Sequence, residues 1–145
     1  MASTRLVVLD DRLLIEELLV GLRPGRSEFH TTSYWYYRAC RAAVAGAGGH
    51  LSGPFEQLAA ARQQQAILSL LELRDAIALP EPRRTVPAMA KLAIRYPRLN
   101  LLNLEAVAVG QLLAAVMWLS TATAAGVLPG VLDAEGVAWR TVDAA

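Results

Sequence analysis

One cysteine, Cys40, and two separated histidines, His30 and His50, are all the chain holds of the residues that build soft-metal centres. An internal disulfide, a cysteine-based zinc site and a histidine-rich metal site are thereby excluded. An excess of either charge is missing too: fourteen basic and thirteen acidic residues leave a formal net charge of +1. That balance demands no polyanionic partner, although a local basic face is compatible with it. Lys91 is the only lysine, a bias that reads as coding preference and carries little functional weight. No apolar run reaches a bilayer span: Leu104 to Leu119 is too short, holds Glu105, and is interrupted by Gly110 and Gln111. The opening Met1-Ala2-Ser3-Thr4-Arg5 lacks the charged-then-apolar order of a secretion signal, so a reducing, cytoplasmic setting is the expectation.

Several catalytic motifs are absent. Gly46-Ala47-Gly48-Gly49 follows a helical pattern and lacks the Gly-Lys-Ser/Thr ending of a phosphate loop. There is no GxSxG elbow, no HExxH and no dinucleotide fingerprint.

What the chain has in quantity is apolar residue, 54% against 19% charged, enough to bury a sizeable core in a single domain over residues 1–145. Leu6-Val7-Val8-Leu9 is a continuous apolar run of the kind that forms a strand covered on both faces. A helix follows from Arg12 to Leu22, with Leu14, Leu18 and Leu22 spaced by four. Glu28 to Thr32 reads as a second strand, and Ser33, as N-cap, opens a helix through Tyr34-Trp35-Tyr36-Tyr37-Arg38 to Ala42. Ser52-Gly53-Pro54-Phe55-Glu56 opens another helix, running to about Arg74.

Ala76 to Leu79 is a short apolar run stopped by Pro80-Glu81-Pro82 and fits a third strand. Further helices are expected from Thr85 to Ile94 and from Leu104 to Met117. Trp118-Leu119-Ser120 then reads as a strand, Ala124 to Glu135 as a weak helix broken near Pro129-Gly130, and Val137 to Val142 as a closing strand. Alternation of this kind predicts one α/β domain of three layers, a mainly parallel sheet of about five strands flanked by helices.

Two acids stand at element ends. Asp10 closes the first strand, where open α/β sheets hold their ligands, and two readings are open for it: a Mg²⁺ or Mn²⁺ ligand, or a solvated carboxylate. Asp11 reads as the cap of the following helix. Glu105 heads the long apolar helix, favoured there by the helix dipole; it must lie at an exposed end or be buried with a partner. Tyr34, Trp35, Tyr36 and Tyr37 beside Arg38 and Arg41 read first as core or dimer contact, and second as a surface that stacks bases and holds phosphates. Cys40 is expected to be a small buried group, and the two histidines polar core or loop residues.

The order of elements resembles the PIN-like domain, the fold of small metal-dependent ribonucleases found as toxins in toxin–antitoxin pairs. The segment Leu6 to Ile15 resembles that family's opening, which makes Asp10 the matching metal-binding acid. Leu99 to Ala108 resembles the place where a second acid starts a long apolar helix, and Glu105 matches it. Trp118 to Thr123, with Ala134 to Ala138, resembles the family's closing elements.

The departures carry weight. Thr32 to Tyr37 has no acid where the family places one, and Ala122, Thr123 and Ala124 stand where a further acid follows the fourth strand. The resemblance therefore implies Asp10 and Glu105 as the catalytic pair. It also implies Mg²⁺ or Mn²⁺ bound weakly by Asp10, Asp11 and Glu105, and Thr123 in support. With so few anionic ligands the expectation is a depleted nuclease that acts through protein or RNA. Its contacts would be Tyr34, Trp35, Tyr37, Arg38 and Arg41, and its partners an antitoxin or a second copy. The alternative is an active Mg²⁺- or Mn²⁺-dependent endoribonuclease.

Overall fold

The computed structural model describes residues 4–22, 26–45 and 59–143. Strand β1 (Arg5–Leu9) leads into α1 (Asp11–Leu19), and β2 (Ser27–Thr31) into α2 (Ser33–Ala45). Helices α3 (Ala60–Leu71), α4 (Pro82–Arg95) and α5 (Leu101–Leu113) follow. Then come β3 (Val116–Leu119), the short α6 (Thr121–Ala124), α7 (Leu128–Ala134) and β4 (Trp139–Thr141). The sheet has four strands in the order β2-β1-β3-β4, all parallel. The fold class is thus the expected α/β.

Side-chain alternation explains the three layers. Val7 and Leu9 of β1, with Trp118 of β3, face a core closed by Leu13, Leu14 and Ile15 of α1, Ala39 and Ala43 of α2, and Leu70 of α3. Val8 of β1, with Met117 and Leu119 of β3, faces the other core. That one is closed by Leu92 of α4, Ala106 to Val109 of α5, and Leu128 and Leu132 of α7. Among the described residues no helix is long and apolar enough to cross a membrane.

Several boundaries differ from the sequence reading, each for a local reason. The expected strand over Ala76–Leu79 is reduced to a single bridge between Ala78 and His30 at the outer edge of β2, so the sheet has four strands and not five. Helix α4 begins at Pro82 because Glu81 caps it and proline suits the first helical position. Helix α5 begins at Leu101, capped by Asn100, and ends where Ala114 turns left-handed at φ 49°. No glycine or proline marks that end, so its boundary is invisible within an unbroken apolar run. The break expected at Pro129-Gly130 falls earlier, between Ala124 and Leu128, and both residues lie inside α7. The joint at Gly46 to Gly49, His50 and the helix start at Ser52 to Glu56 lie outside the described residues.

In a parallel sheet every strand ends at the same rim. Leu9 pairs with Thr31 on one side and with Trp118 on the other. The chain passes to β2 on one flank of β1 and later to β3 on the opposite flank, so the crevice between β1 and β3 is the switch point of the sheet. Asp10 and Ser120 follow these two strands and stand at that point.

Candidate functional site

Asp10 is fully buried, which rules out the solvated reading. It, and not Asp11, caps α1: its Oδ1 accepts the Leu13 N–H at 2.9 Å. Its Oδ2 accepts both the backbone N–H of Ser120 at 2.8 Å and the Ser120 hydroxyl at 2.6 Å. One carboxylate thereby ties β1, the start of α1 and the end of β3 together. A carboxylate presents about four lone pairs, and three of Asp10's are engaged. Thr123 joins this chain at one remove, its Oγ1 lying 3.3 Å from Ser120 Oγ.

Glu105 is buried too, with the partner its setting required. The first turn of α5 holds no acid; Glu105 lies one turn further in and reaches across to α2. Its Oε2 accepts the Ser33 N–H at 3.0 Å and its Oε1 the Tyr34 N–H at 2.9 Å. The next donor, Trp35 N–H, goes to Thr32 Oγ1 at 3.1 Å. Thr32, and not Ser33, is therefore the capping residue. The first three N–H groups of α2 are all satisfied, two of them by an acid from another helix, and the helix dipole offsets its charge. Glu105 accepts from residues just past Thr31, and Asp10 follows Leu9, the partner of Thr31. Both acids therefore sit at one rim of the sheet.

Asp11 accepts the Arg12 N–H at 2.8 Å, and its Oδ2 lies 3.1 Å from Nε of Arg38. It lines an open pocket of about 240 Å³ with Trp35, Arg38, Asn100, Asn103 and Thr123. The opposite charges of Asp11 and Arg38 cancel there. Among the described residues no three Asp, Glu, His or Cys side chains are grouped to hold a metal ion. The donors as found fit Mg²⁺ or Mn²⁺ poorly. Both ions want several oxygen ligands with lone pairs directed inward, and these acids point theirs at N–H, O–H and guanidinium groups.

The aromatic run divides. Trp35 is core and not a surface contact, at 1% exposure, whereas Tyr37 is 61% exposed and Tyr34 stands at the boundary. Arg41 is exposed on the same helix, and Arg38 is turned partly inward to Asp11. Cys40 is half-buried and its thiol is pushed up by burial, so it is a poor nucleophile at neutral pH. His30 faces Glu28 Oε1 at 3.1 Å on β2.

Sequence reasoning missed Ser120, Thr32 and the Arg38 contact. Ser120 carried a positional signal, since a hydroxyl directly after an apolar strand mirrors Asp10 after β1. It also missed Glu135, on the approach to β4. That carboxyl is held at about 2, first by Arg95, whose guanidinium donates at 2.6 Å, then by the Tyr96 hydroxyl at 2.6 Å. Gln111 adds a bond at 3.1 Å, and it lies about 9 Å beyond Glu105 along α5, so this cluster is separate from the rim.

No protein-family model matches the chain, and no curated protein matches it. Its fold is similar to that in the structure of VapBC-1 from nontypeable Haemophilus influenzae. The TM-score is 0.57 at 13% identity, covering 94% of this chain and 97% of that one. The likeness is one of fold: an α/β arrangement with a parallel sheet between helices.

Proposed function

We propose that this chain is a PIN-like protein of the toxin–antitoxin kind whose acidic site no longer sustains nuclease chemistry, and that it acts by binding another protein. The observation that carries the reading is the commitment of the three acids Asp10, Asp11 and Glu105. Asp10 holds α1 and Ser120, Glu105 holds α2, and Asp11 faces Arg38. Metal-assisted hydrolysis of a phosphodiester requires anionic ligands that hold a cation against water and leave it open to substrate. Were Mg²⁺ or Mn²⁺ bound, Asp10 and Glu105 would be its ligands, Asp11 and Thr123 its support, and it would supply charge neutralisation and an activated water.

The fold likeness to VapBC-1, a toxin–antitoxin complex, supports an antitoxin-like protein as the partner. The exposed face of α2, with Tyr34, Tyr37 and Arg41, supplies aromatic and guanidinium groups of the kind that dominate protein interfaces. A second copy of the chain and RNA are the other occupants of that face, and the near-zero net charge disfavours RNA. A cytoplasmic setting goes with this reading.

The second reading is an active Mg²⁺- or Mn²⁺-dependent endoribonuclease, with Asp10 and Glu105 catalytic. What favours it is that Asp10 follows β1 and Glu105 bonds to residues just past β2, so that both acids lie toward the carboxyl ends of the strands. Incubation of labelled RNA with the protein and millimolar Mn²⁺ separates the two. The proposal expects no cleavage above background; cleavage that is lost in a folded Asp10→Asn variant would establish the enzyme.

A further inference from the structure

We infer that Arg38 is the resident cation of the rim pocket, supplying against Asp11 the positive charge that a divalent ion there would otherwise bring, so that the pocket is neutralised from within the chain. The inference rests on the reading above and deepens it: the site is not merely short of acids but carries a fixed positive charge. Arg38 lies on α2 a little over one turn past Ser33, and Glu105 anchors the beginning of that helix. From there its Nε reaches Asp11 Oδ2 at 3.1 Å. The Asp11 side chain is only 3% exposed while that of Arg38 is 42% exposed, so the pair runs from the interior to the pocket mouth. A carboxylate this buried requires a compensating charge, and guanidinium stays charged at any working pH.

A divalent cation beside Asp11 would face that guanidinium at close range, with Asn100, Asn103 and Thr123 as the remaining polar lining. These are neutral groups and do not outweigh the repulsion. Reversing the charge at position 38 therefore has a defined consequence. Arg38→Glu places a second carboxylate against Asp11 in a pocket of about 240 Å³, and ligand charge count is what tunes affinity in oxygen-donor sites.

The test is Mn²⁺ binding by calorimetry and by the Mn²⁺ spin-resonance signal, with thermal melting alongside, on the full chain without RNA. The wild type is expected to show no saturable binding at millimolar Mn²⁺ and no shift in Tm. Arg38→Glu is expected to melt lower in metal-free buffer and to recover with Mn²⁺, binding roughly tenfold tighter or more than the wild type. Adding Asp11→Asn should remove the gain. Should Arg38→Glu fail to fold, Arg38→Met carries the test: it keeps the stem, loses the charge, and should melt lower than wild type and be partly restored by Mn²⁺. Equal Mn²⁺ affinity in wild type and variant overturns the inference, as does a folded variant with no metal response. RNA cleavage by the wild type would instead overturn the proposed function, so the two failures are told apart.

Discussion

Glu105 accepts a hydrogen bond from the backbone N–H of Ser33 at 3.0 Å, across a separation of 72 residues. With its second bond, to Tyr34 at 2.9 Å, the carboxylate closes the amino end of a helix that carries no acid in its own first turn. The acid that resembles a metal ligand in the sequence is a helix cap in the fold.

The first prediction concerns that cap. Glu105→Gln keeps the shape but turns an N–H toward one of two donors and removes the charge facing the helix dipole. The expected loss is about 1.5–3 kcal/mol in urea unfolding, and Glu105→Ala should lose more. Mn²⁺ should restore neither. A loss below about 0.5 kcal/mol in Glu105→Gln would show the contact to be incidental.

Ser120→Ala tests the other acid. The mutation removes the 2.6 Å hydroxyl bond to a buried carboxylate and leaves the Ser120 N–H bond in place. Chemical denaturation should show a loss of about 1.5–3 kcal/mol, the range for hydrogen bonds to charged groups.

Two glycines should respond in opposite directions. A Cβ on Gly110 would meet Val137 Cγ1 at 2.7 Å and Met117 Sδ at 3.0 Å, because α5 lies tightly against β3 and the approach to β4. Gly110→Ala should therefore cost about 1–2 kcal/mol, the overpacking outweighing the better helix propensity of alanine. Gly130, inside α7, has nothing within 4 Å of such a Cβ. Gly130→Ala should stabilise by about 0.5–1 kcal/mol. Thermal melts of both variants decide it, and the same sign for both would contradict the packing described.

Acid should weaken the clamp at Glu135. Its carboxyl titrates at about 2 in the folded protein, against an ordinary 4.5, because Arg95 and Tyr96 donate to the charged form. A depressed folded-state value means that the stabilisation is fully present above about pH 4.5 and is lost as pH falls toward 2. The Tm gap between wild type and Glu135→Gln should be constant above about pH 5 and shrink between about pH 4.5 and 2. A gap that widens on acidification would reverse the assignment.

Most of the strand–helix order, the Ala76–Leu79 strand excepted, was legible because apolar runs and their periods are local, and β1 with Asp10 at its end is the clearest case. The interior was legible for the same reason: Val7 and Val8 face opposite cores, as an all-apolar run predicts. What was hidden depends on contacts distant in the chain. Nothing near Glu105 names Ser33 as its partner, nothing near Arg38 names Asp11, and the end of α5 rests on one alanine in a left-handed conformation. The candidate acids were therefore identifiable by position, while their engagement became visible only once the three elements were brought to one rim.

The most direct test of the account is a crystal soaked in millimolar Mn²⁺ with data collected at the manganese edge. Carboxylates committed to α1, α2, Ser120 and Arg38 should leave the anomalous map flat at the rim, with the hydrogen bonds of Asp10 and Glu105 unchanged. A strong peak about 2.1 Å from oxygens of both Asp10 and Glu105 would contradict it, for those acids would then be free to serve a metal.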